Sequence, residues 1–122
     1  MRLILPEPPS LNSMLGYAGG GWQVYKGKQQ SYQKKMRLLL PARPPDAPWE
    51  RWAITSIHLV LWNPRDPLEI EAGLKWAVDV LVEDGWVIDD AGAYLVDVAK
   101  ATQETSRKKG ARCVILDIER RP

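Results

Sequence analysis

The chain contains very little cysteine or histidine. Its single cysteine, Cys113, lies in an apolar run, so an intrachain disulfide is excluded and a reducing compartment is indicated. Its single histidine, His58, has no second histidine or cysteine near it in the sequence. We therefore interpret His58 as an ordinary strand residue and Cys113 as a packing residue, rather than as ligands or catalytic groups.

Long hydrophobic runs are also absent. The longest, such as Met36 to Leu40 with Arg37 inside it, fall far short of a membrane span. The segment from Met1 to Pro6 is too short, and too soon broken by proline, for a signal peptide. With 122 residues, 45% of them hydrophobic, the chain has the size and composition of one globular domain, residues 1–122. We expect a cytoplasmic location.

Acidic residues are missing between Glu7 and Asp46, although the net charge of the chain is only +2. Residues 63–98 hold nine acids against Arg65 and Lys75. Basic flanks around an acidic centre are typical of a nuclease, with phosphate contacts outside and metal ligands inside. The alternative is a solvated surface of uneven charge. The residues expected to contact DNA are Lys26, Lys28, Lys34, Lys35, Arg37, Lys108, Lys109 and Arg112.

Hydrophobic periodicity predicts an α+β domain, with one small mixed sheet and two to three helices in two layers. We expect strands over 2–5, 52–62, 86–88, 94–102 and 111–118, a loop over 10–27, helices over 31–40 and 69–83, and a hairpin loop over 104–110. In the first helix Tyr32, Met36, Leu39 and Leu40 are expected to face inward. Gly85 is expected to cap the second helix in a left-handed conformation.

The segment from Asp66 to Asp90 carries the strongest functional signal. Glu69 and Glu71 lie at the start of its helix, and Asp90 follows the short strand after it. A helix packed beside the next strand can bring these three carboxylates to one point, where they repel each other unless a cation joins them. Hard oxygen ligands suit Mg²⁺. We therefore predict a metal site formed by Glu69, Glu71 and Asp90.

Each of these residues also has a structural interpretation. An acidic first helical turn is favoured by the helix dipole, which would account for Glu69 and Glu71. Lys75 has the spacing for an i, i+4 ion pair with Glu71, which is compatible with a catalytic role. Asp89 is interpreted as a supporting or turn residue, and Asp79 as structural or part of a dimer surface.

The order of these motifs resembles that of the RusA-type Holliday junction resolvases. Residues 5–12, LPEPPSLN, are similar to the opening of that family. The C-terminal segment 109–112, KGAR, leads into a final strand as in the family. The central block resembles a carboxylate pair, a lysine and a terminal aspartate pair, which here are Glu69, Glu71, Lys75, Asp79, Leu81, Gly85, Asp89 and Asp90.

The resemblance implies a bacterial or phage-encoded homodimer that binds four-way DNA junctions and cuts two opposed strands with Mg²⁺. It assigns catalytic roles to Glu69, Glu71, Lys75 and Asp90. The family usually has Asp-x-Asp followed by asparagine, whereas this chain has Glu69, Glu71 and then Ala72. Since Mg²⁺ requires near-ideal octahedral geometry, the longer side chains leave three outcomes open: a displaced backbone, a preference for Mn²⁺, or reduced or lost activity.

Two other classes of protein remain open at this point. One is a DNA junction-binding protein that no longer cleaves, and the other is an adaptor whose acidic helix binds a basic partner. Among the aromatic residues, Trp22 in the glycine-rich loop is expected to stack on unpaired bases. Trp49 and Trp52 are expected to pack against the sheet.

Overall fold

A long central strand, Trp52–Leu61, organises the structure. The computed structural model describes residues 1–9, 21–108 and 110–122, apart from the side chains of residues 21–23. Within these ranges the elements are β1 (Arg2–Leu5), α1 (Gly21–Leu39), β2 (Trp52–Leu61), α2 (Pro67–Glu83), β3 (Leu95–Val98), β4 (Ala101–Thr105) and β5 (Cys113–Arg120). No helix in this part of the chain is long and apolar enough to cross a membrane.

The five strands form one mixed sheet in which β2 is paired on both sides. On one side β5 pairs with it in antiparallel fashion, and β1 in turn pairs with β5. On the other side β3 and β4 run parallel to β2, one after the other, with Trp52 opposite Leu95 and Leu61 opposite Thr105. Helix α2 lies in the connection between β2 and β3, as parallel pairing requires a crossover.

The C-terminal strands differ from the prediction in two ways. The strand predicted over 94–102 is interrupted at Ala99 and Lys100, beside a register shift between Ile54 and Ser56 of β2. The predicted hairpin over 104–110 is wrong, because β4 and β5 lie on opposite sides of β2 and do not pair. Sequence periodicity reports which residues alternate in a strand, but not which strand lies beside it.

Both helices and one face of the sheet share a single hydrophobic core. The buried residues from the sheet include Leu3, Leu5, Trp52, Ile57, Leu59, Leu61, Val114, Leu116 and Ile118, and those from the helices include Tyr32, Met36, Ile70, Trp76, Val78 and Leu81. The opposite sheet face carries exposed or half-exposed side chains such as Arg2, Ile4, His58 and Glu104. The predicted packing of Trp49 and Trp52 is confirmed, since they are 7% and 0% exposed.

Helix α1 begins at Gly21, ten residues before its predicted start. The glycines around position 20 favoured a loop, but Tyr25 packs edge-to-face on Trp76, with ring centroids 5.3 Å apart, and tertiary contact overrides local propensity. Tyr32 and Met36 face inward as predicted, whereas Leu39 is 58% exposed at the last helical residue. Residues 10–20 of the predicted loop lie outside the described residues.

Helix α2 and its ends agree closely with the prediction. Asp66 caps its N-terminus by accepting a hydrogen bond from the Glu69 backbone N–H at 3.0 Å. Gly85 follows the C-terminus with φ of 75°, which confirms the left-handed cap. The predicted strand over 86–88 is reduced to a single parallel bridge between Val87 and Trp49.

The packing of α1 predicts that alanine substitutions at two of its residues, Met36 and Leu38, have very different effects on the free energy of unfolding. Met36 is completely buried, so Met36→Ala should lower the free energy of unfolding by about 2–5 kcal/mol, as other large-to-small core substitutions do. Leu38 is 80% exposed, and Leu38→Ala should change it by less than about 0.5 kcal/mol. Urea unfolding of both variants measures the difference. Equal effects would contradict the packing of α1.

Candidate functional site

The segment that carries Asp90 is fastened to the start of β2. The Trp49 backbone N–H donates to the Trp86 carbonyl at 2.9 Å, and the Ile88 N–H donates to the Trp49 carbonyl at 3.0 Å. The Trp52 indole N–H donates to the Asp89 carbonyl at 2.9 Å. These bonds hold the chain on the sheet up to the residue before Asp90.

Asp89 and Asp90 have different partners. The Asp89 carboxylate accepts the Asp90 backbone N–H at 2.7 Å, so Asp89 supports the backbone at the neighbouring residue. The Asp90 carboxylate accepts a hydrogen bond from the Lys75 ammonium. Lys75 lies on α2, so this contact joins the helix to the segment that follows it.

Lys75 is the centre of a small charge network. Its ammonium forms an i, i+4 ion pair with Asp79 at 3.0 Å and a second ion pair with Asp90. The partner one turn away is therefore Asp79 rather than the predicted Glu71. The hydrogen bond from Lys75 lowers the pKa of the Asp90 carboxyl, and the hydrogen bonds to Asp90 and Asp79 raise the pKa of Lys75. Lys75 thus remains a cation through neutral pH.

A cleft of about 890 Å³ lies between α2 and the β3–β4 edge of the sheet. Three of the predicted catalytic residues, Glu71, Lys75 and Asp90, line it together, whereas Glu69 does not. Its other polar lining residues are Arg65, Lys100 and Gln103, and its apolar lining includes Leu68, Ile70, Leu74, Val78, Leu95 and Val98. The cleft therefore combines an apolar floor with charged groups of both signs.

The predicted three-carboxylate metal site remains a prediction. Among the described residues, no group of three or more acids, histidines or cysteines is arranged to hold a metal ion. Glu71 and Asp90 nevertheless offer hard oxygen donors to the same cleft. Mg²⁺ commonly uses one or two carboxylates together with water and substrate phosphates. The two carboxylates here are therefore donors of the type that this ion prefers. A cation there would compete with Lys75 for Asp90.

The predicted DNA-binding residues fall into two groups. Five of them lie on α1: Lys26, Lys28, Lys34, Lys35 and Arg37. Lys108 and Arg112 lie in the loop that leads to β5. Arg37 also has a structural partner, because it contacts Asp84 at 3.0 Å and Glu83 at 2.8 Å at the end of α2. Lys109 and the Trp22 side chain lie outside the described residues.

One aromatic residue was missed by the sequence analysis. Trp62 was expected to end the strand predicted over 52–62. It follows the last residue of β2, is 41% exposed and lies near Arg107 and Arg112. Strand alternation could have indicated this exposure. Trp62 lies an even number of residues from His58, whose side chain is on the sheet face away from the core, whereas Leu59 and Leu61 point into the core. His58 lies in β2 as expected, within hydrogen-bonding distance of Thr102.

The chain matches no protein-family model, and a search of curated proteins also finds no match.

The Lys75–Asp90 contact has a measurable consequence for acid titration. Because the Asp90 pKa lies below the usual value of about 3.9, the pair stabilises the fold above that pH. Its contribution is lost as the pH falls through the folded-state pKa. Lys75→Ala should raise the Asp90 pKa toward about 3.9, as measured by NMR titration of the carboxyl carbon without divalent cations.

Lys100→Ala is the matched control for this titration. Lys100 is a second exposed lysine that lines the same cleft, and its removal should leave the Asp90 pKa nearly unchanged. Equal changes in the two variants would show that Asp90 responds to overall charge rather than to its contact with Lys75.

Proposed function

We propose that the protein is a structure-specific endonuclease that cuts four-way (Holliday) DNA junctions with Mg²⁺, or with Mn²⁺ in its place. The observation that carries this proposal is the convergence of Glu71, Lys75 and Asp90 on one cleft. These are three of the four residues to which the resemblance to RusA-type resolvases assigns catalysis. A cation positioned beside carboxylates in a cleft is suited to stabilising the charge that develops in phosphodiester cleavage.

Glu71 and Asp90 are the residues that would hold the metal, with Glu69 near the start of the same helix as a third donor. When bound, the ion would activate water and neutralise charge on the scissile phosphate. Asp90 positions Lys75 in the absence of substrate. Lys75 is 57% exposed, so its ammonium can turn toward an incoming phosphate and stabilise the negative charge that develops in the transition state.

Substrate binding is assigned to the basic surface of α1 and to the loop before β5. Helix α1 carries basic residues and no acid over its whole length, from Gly21 to Leu39. Such a surface neutralises backbone phosphates independently of sequence, which suits recognition of a branched structure. Lys34 and Lys35 are exposed on it.

The proposal includes a homodimer. A four-way junction has two equivalent strands to cut, and a two-fold dimer presents one site to each. Leu68 and Val98 are 71% and 52% exposed and both line the cleft beside the site. A second copy of the chain would cover this apolar surface and place the two sites near each other.

A second candidate function is junction binding without cleavage. It is favoured by two observations: Asp90 is already paired with Lys75, and the described residues contain no three-carboxylate group. The glutamates at positions 69 and 71 agree with it as well. Calorimetry with Mg²⁺ and Mn²⁺ separates the two candidates, since an enzyme of the proposed type binds one of these ions.

The proposed roles predict that binding and cleavage respond differently to substitution. Asp90→Asn removes a metal donor and negative charge, so the variant should bind a junction as tightly as the wild type or more tightly while cleavage is abolished. Lys75→Ala should reduce the cleavage rate by about 100-fold or more, the effect of losing one well-placed electrostatic group. Gel-shift and single-turnover assays on a mobile four-way junction measure both quantities.

Asp97→Asn is the control for these assays. Asp97 is an exposed acid on β3 outside the cleft lining, so its variant should bind and cut like the wild type. If Lys75→Ala lost binding and cleavage in equal proportion, Lys75 would be an ordinary phosphate contact. A wild-type protein that binds junctions but cuts none in Mg²⁺ or Mn²⁺ would establish the second candidate.

The proposed dimer predicts that a charge introduced at its interface shifts the protein toward the monomer. Leu68→Glu should shift sedimentation at micromolar concentration from dimer toward monomer, because it places a charge in the proposed interface. Leu38→Glu adds the same charge at an 80% exposed leucine outside the cleft, so it should leave the dimer intact. A wild-type monomer, with and without junction, would rule the dimer out.

A further inference from the structure

We propose that Trp62, Arg107 and Arg112 form a binding site for an unpaired nucleotide, in which the two guanidinium groups hold a backbone phosphate and the indole supports the base. This inference rests on the proposed action on DNA, and it adds a contact surface that is separate from the cleft. None of the three residues lines that cleft.

The geometry of the cluster is that of two cation–π contacts on one ring. The Arg107 guanidinium carbon lies 4.0 Å from the Trp62 ring centroid, and that of Arg112 lies 5.0 Å from it. Both distances are within the range of about 6 Å in which a ring attracts a cation. Trp62 therefore adds a contact that helps to position two long arginine side chains.

Trp62 remains partly exposed beside the two guanidinium groups. Trp62 follows the last residue of β2 and keeps 41% of its surface exposed, whereas Leu61 before it is completely buried. Burial in the core therefore does not account for an aromatic residue here. An exposed indole ordered by flanking arginines is suited to stacking on a base, because every base has an aromatic face.

The charge of the cluster is not balanced by its neighbours. Among the described residues, Arg112 has one carboxylate partner, Glu7. One Glu7 oxygen pairs with Arg65 at 3.1 Å, and the other lies 3.8 Å from the Arg112 Nε. Arg107 donates to the neutral side-chain amide of Asn63 at 3.3 Å. One negative charge thus serves Arg65 and Arg112, and the cluster retains positive charge for an anion.

The chemistry of arginine suits an oxyanion with two adjacent oxygens, such as a phosphate, better than a halide. A planar guanidinium presents parallel N–H donors that match two phosphate oxygens, and it can stack on a ring at the same time. Lys108 is exposed in the same loop and can add a contact to the next phosphate along a strand. The site therefore suits a strand of nucleic acid rather than a single small ion.

Tryptophan fluorescence can test this site in the intact protein. We would titrate wild-type protein and Trp62→Phe with single-stranded oligothymidylate of about 10 nucleotides, within the site size of known single-strand binders. The difference between the two fluorescence signals reports Trp62 alone, and it should be quenched on binding. Trp62→Leu should weaken binding by about 10-fold, although it removes no charge.

Substitutions of the two arginines test whether DNA binds to an ordered site or is held only by general electrostatic attraction to the protein. Arg107→Gln and Arg112→Gln should each weaken binding and reduce the salt dependence of affinity by about one phosphate contact. Arg107→Lys keeps the charge but loses the planar stack, so it should restore only part of the affinity. Arg2→Gln is the control. Arg2 is exposed on β1, a strand that does not pair with β2, and its guanidinium is paired with Asp117 of β5.

The outcomes distinguish this inference from the proposed function. If the wild type binds DNA while Trp62→Leu binds equally well with the same salt dependence, the cluster is only a surface contact and the inference is wrong. If oligothymidylate and an abasic strand of equal length bind equally and neither quenches Trp62, the stacking role is wrong. If the wild type binds no DNA of any form, both this inference and the proposed function fail.

Discussion

The attachment of the chain after α2 to Trp49 and Trp52 is the constraint on which the candidate site depends. Lys75 is placed by a well-capped helix, but Asp90 follows a helix end and a turn, where a chain could take many directions. The backbone bonds to Trp49 and the indole bond from Trp52 select one of them. Since both tryptophans are buried, the hydrophobic core determines where a surface carboxylate lies.

The acids of the central segment have separate structural roles that their charge alone does not indicate. Asp66 caps α2, Asp79 pairs with Lys75, and Asp89 accepts a hydrogen bond from the Asp90 backbone N–H. Glu83 and Asp84 hold Arg37 and so tie α1 to the end of α2. The number of carboxylates available for chemistry is therefore much smaller than the number in the segment, and Glu71 and Asp90 are the two acids that line the cleft.

The basic residues divide in the same way between structure and function. Arg65 is only 10% exposed and pairs with Glu7, so it connects the start of α2 to the segment after β1. Arg107 and Arg112 both lie over an aromatic ring, and Arg112 shares its carboxylate partner, Glu7, with Arg65. This difference matters for binding, because a guanidinium paired closely with an acid has less attraction left for a phosphate than one stacked on an indole.

The sequence by itself determined the local elements of this protein. The spacing of Ile70, Ala77 and Leu81 predicted α2, Gly85 predicted its end, and the apolar run from Trp52 predicted β2, because these signals depend on neighbours within a few residues. Only the tertiary structure decided which elements meet. It placed β2 between β4 and β5, extended α1 to Gly21 through contact with Trp76, and paired Lys75 with Asp90. These outcomes depend on packing between distant segments, which local periodicity does not encode.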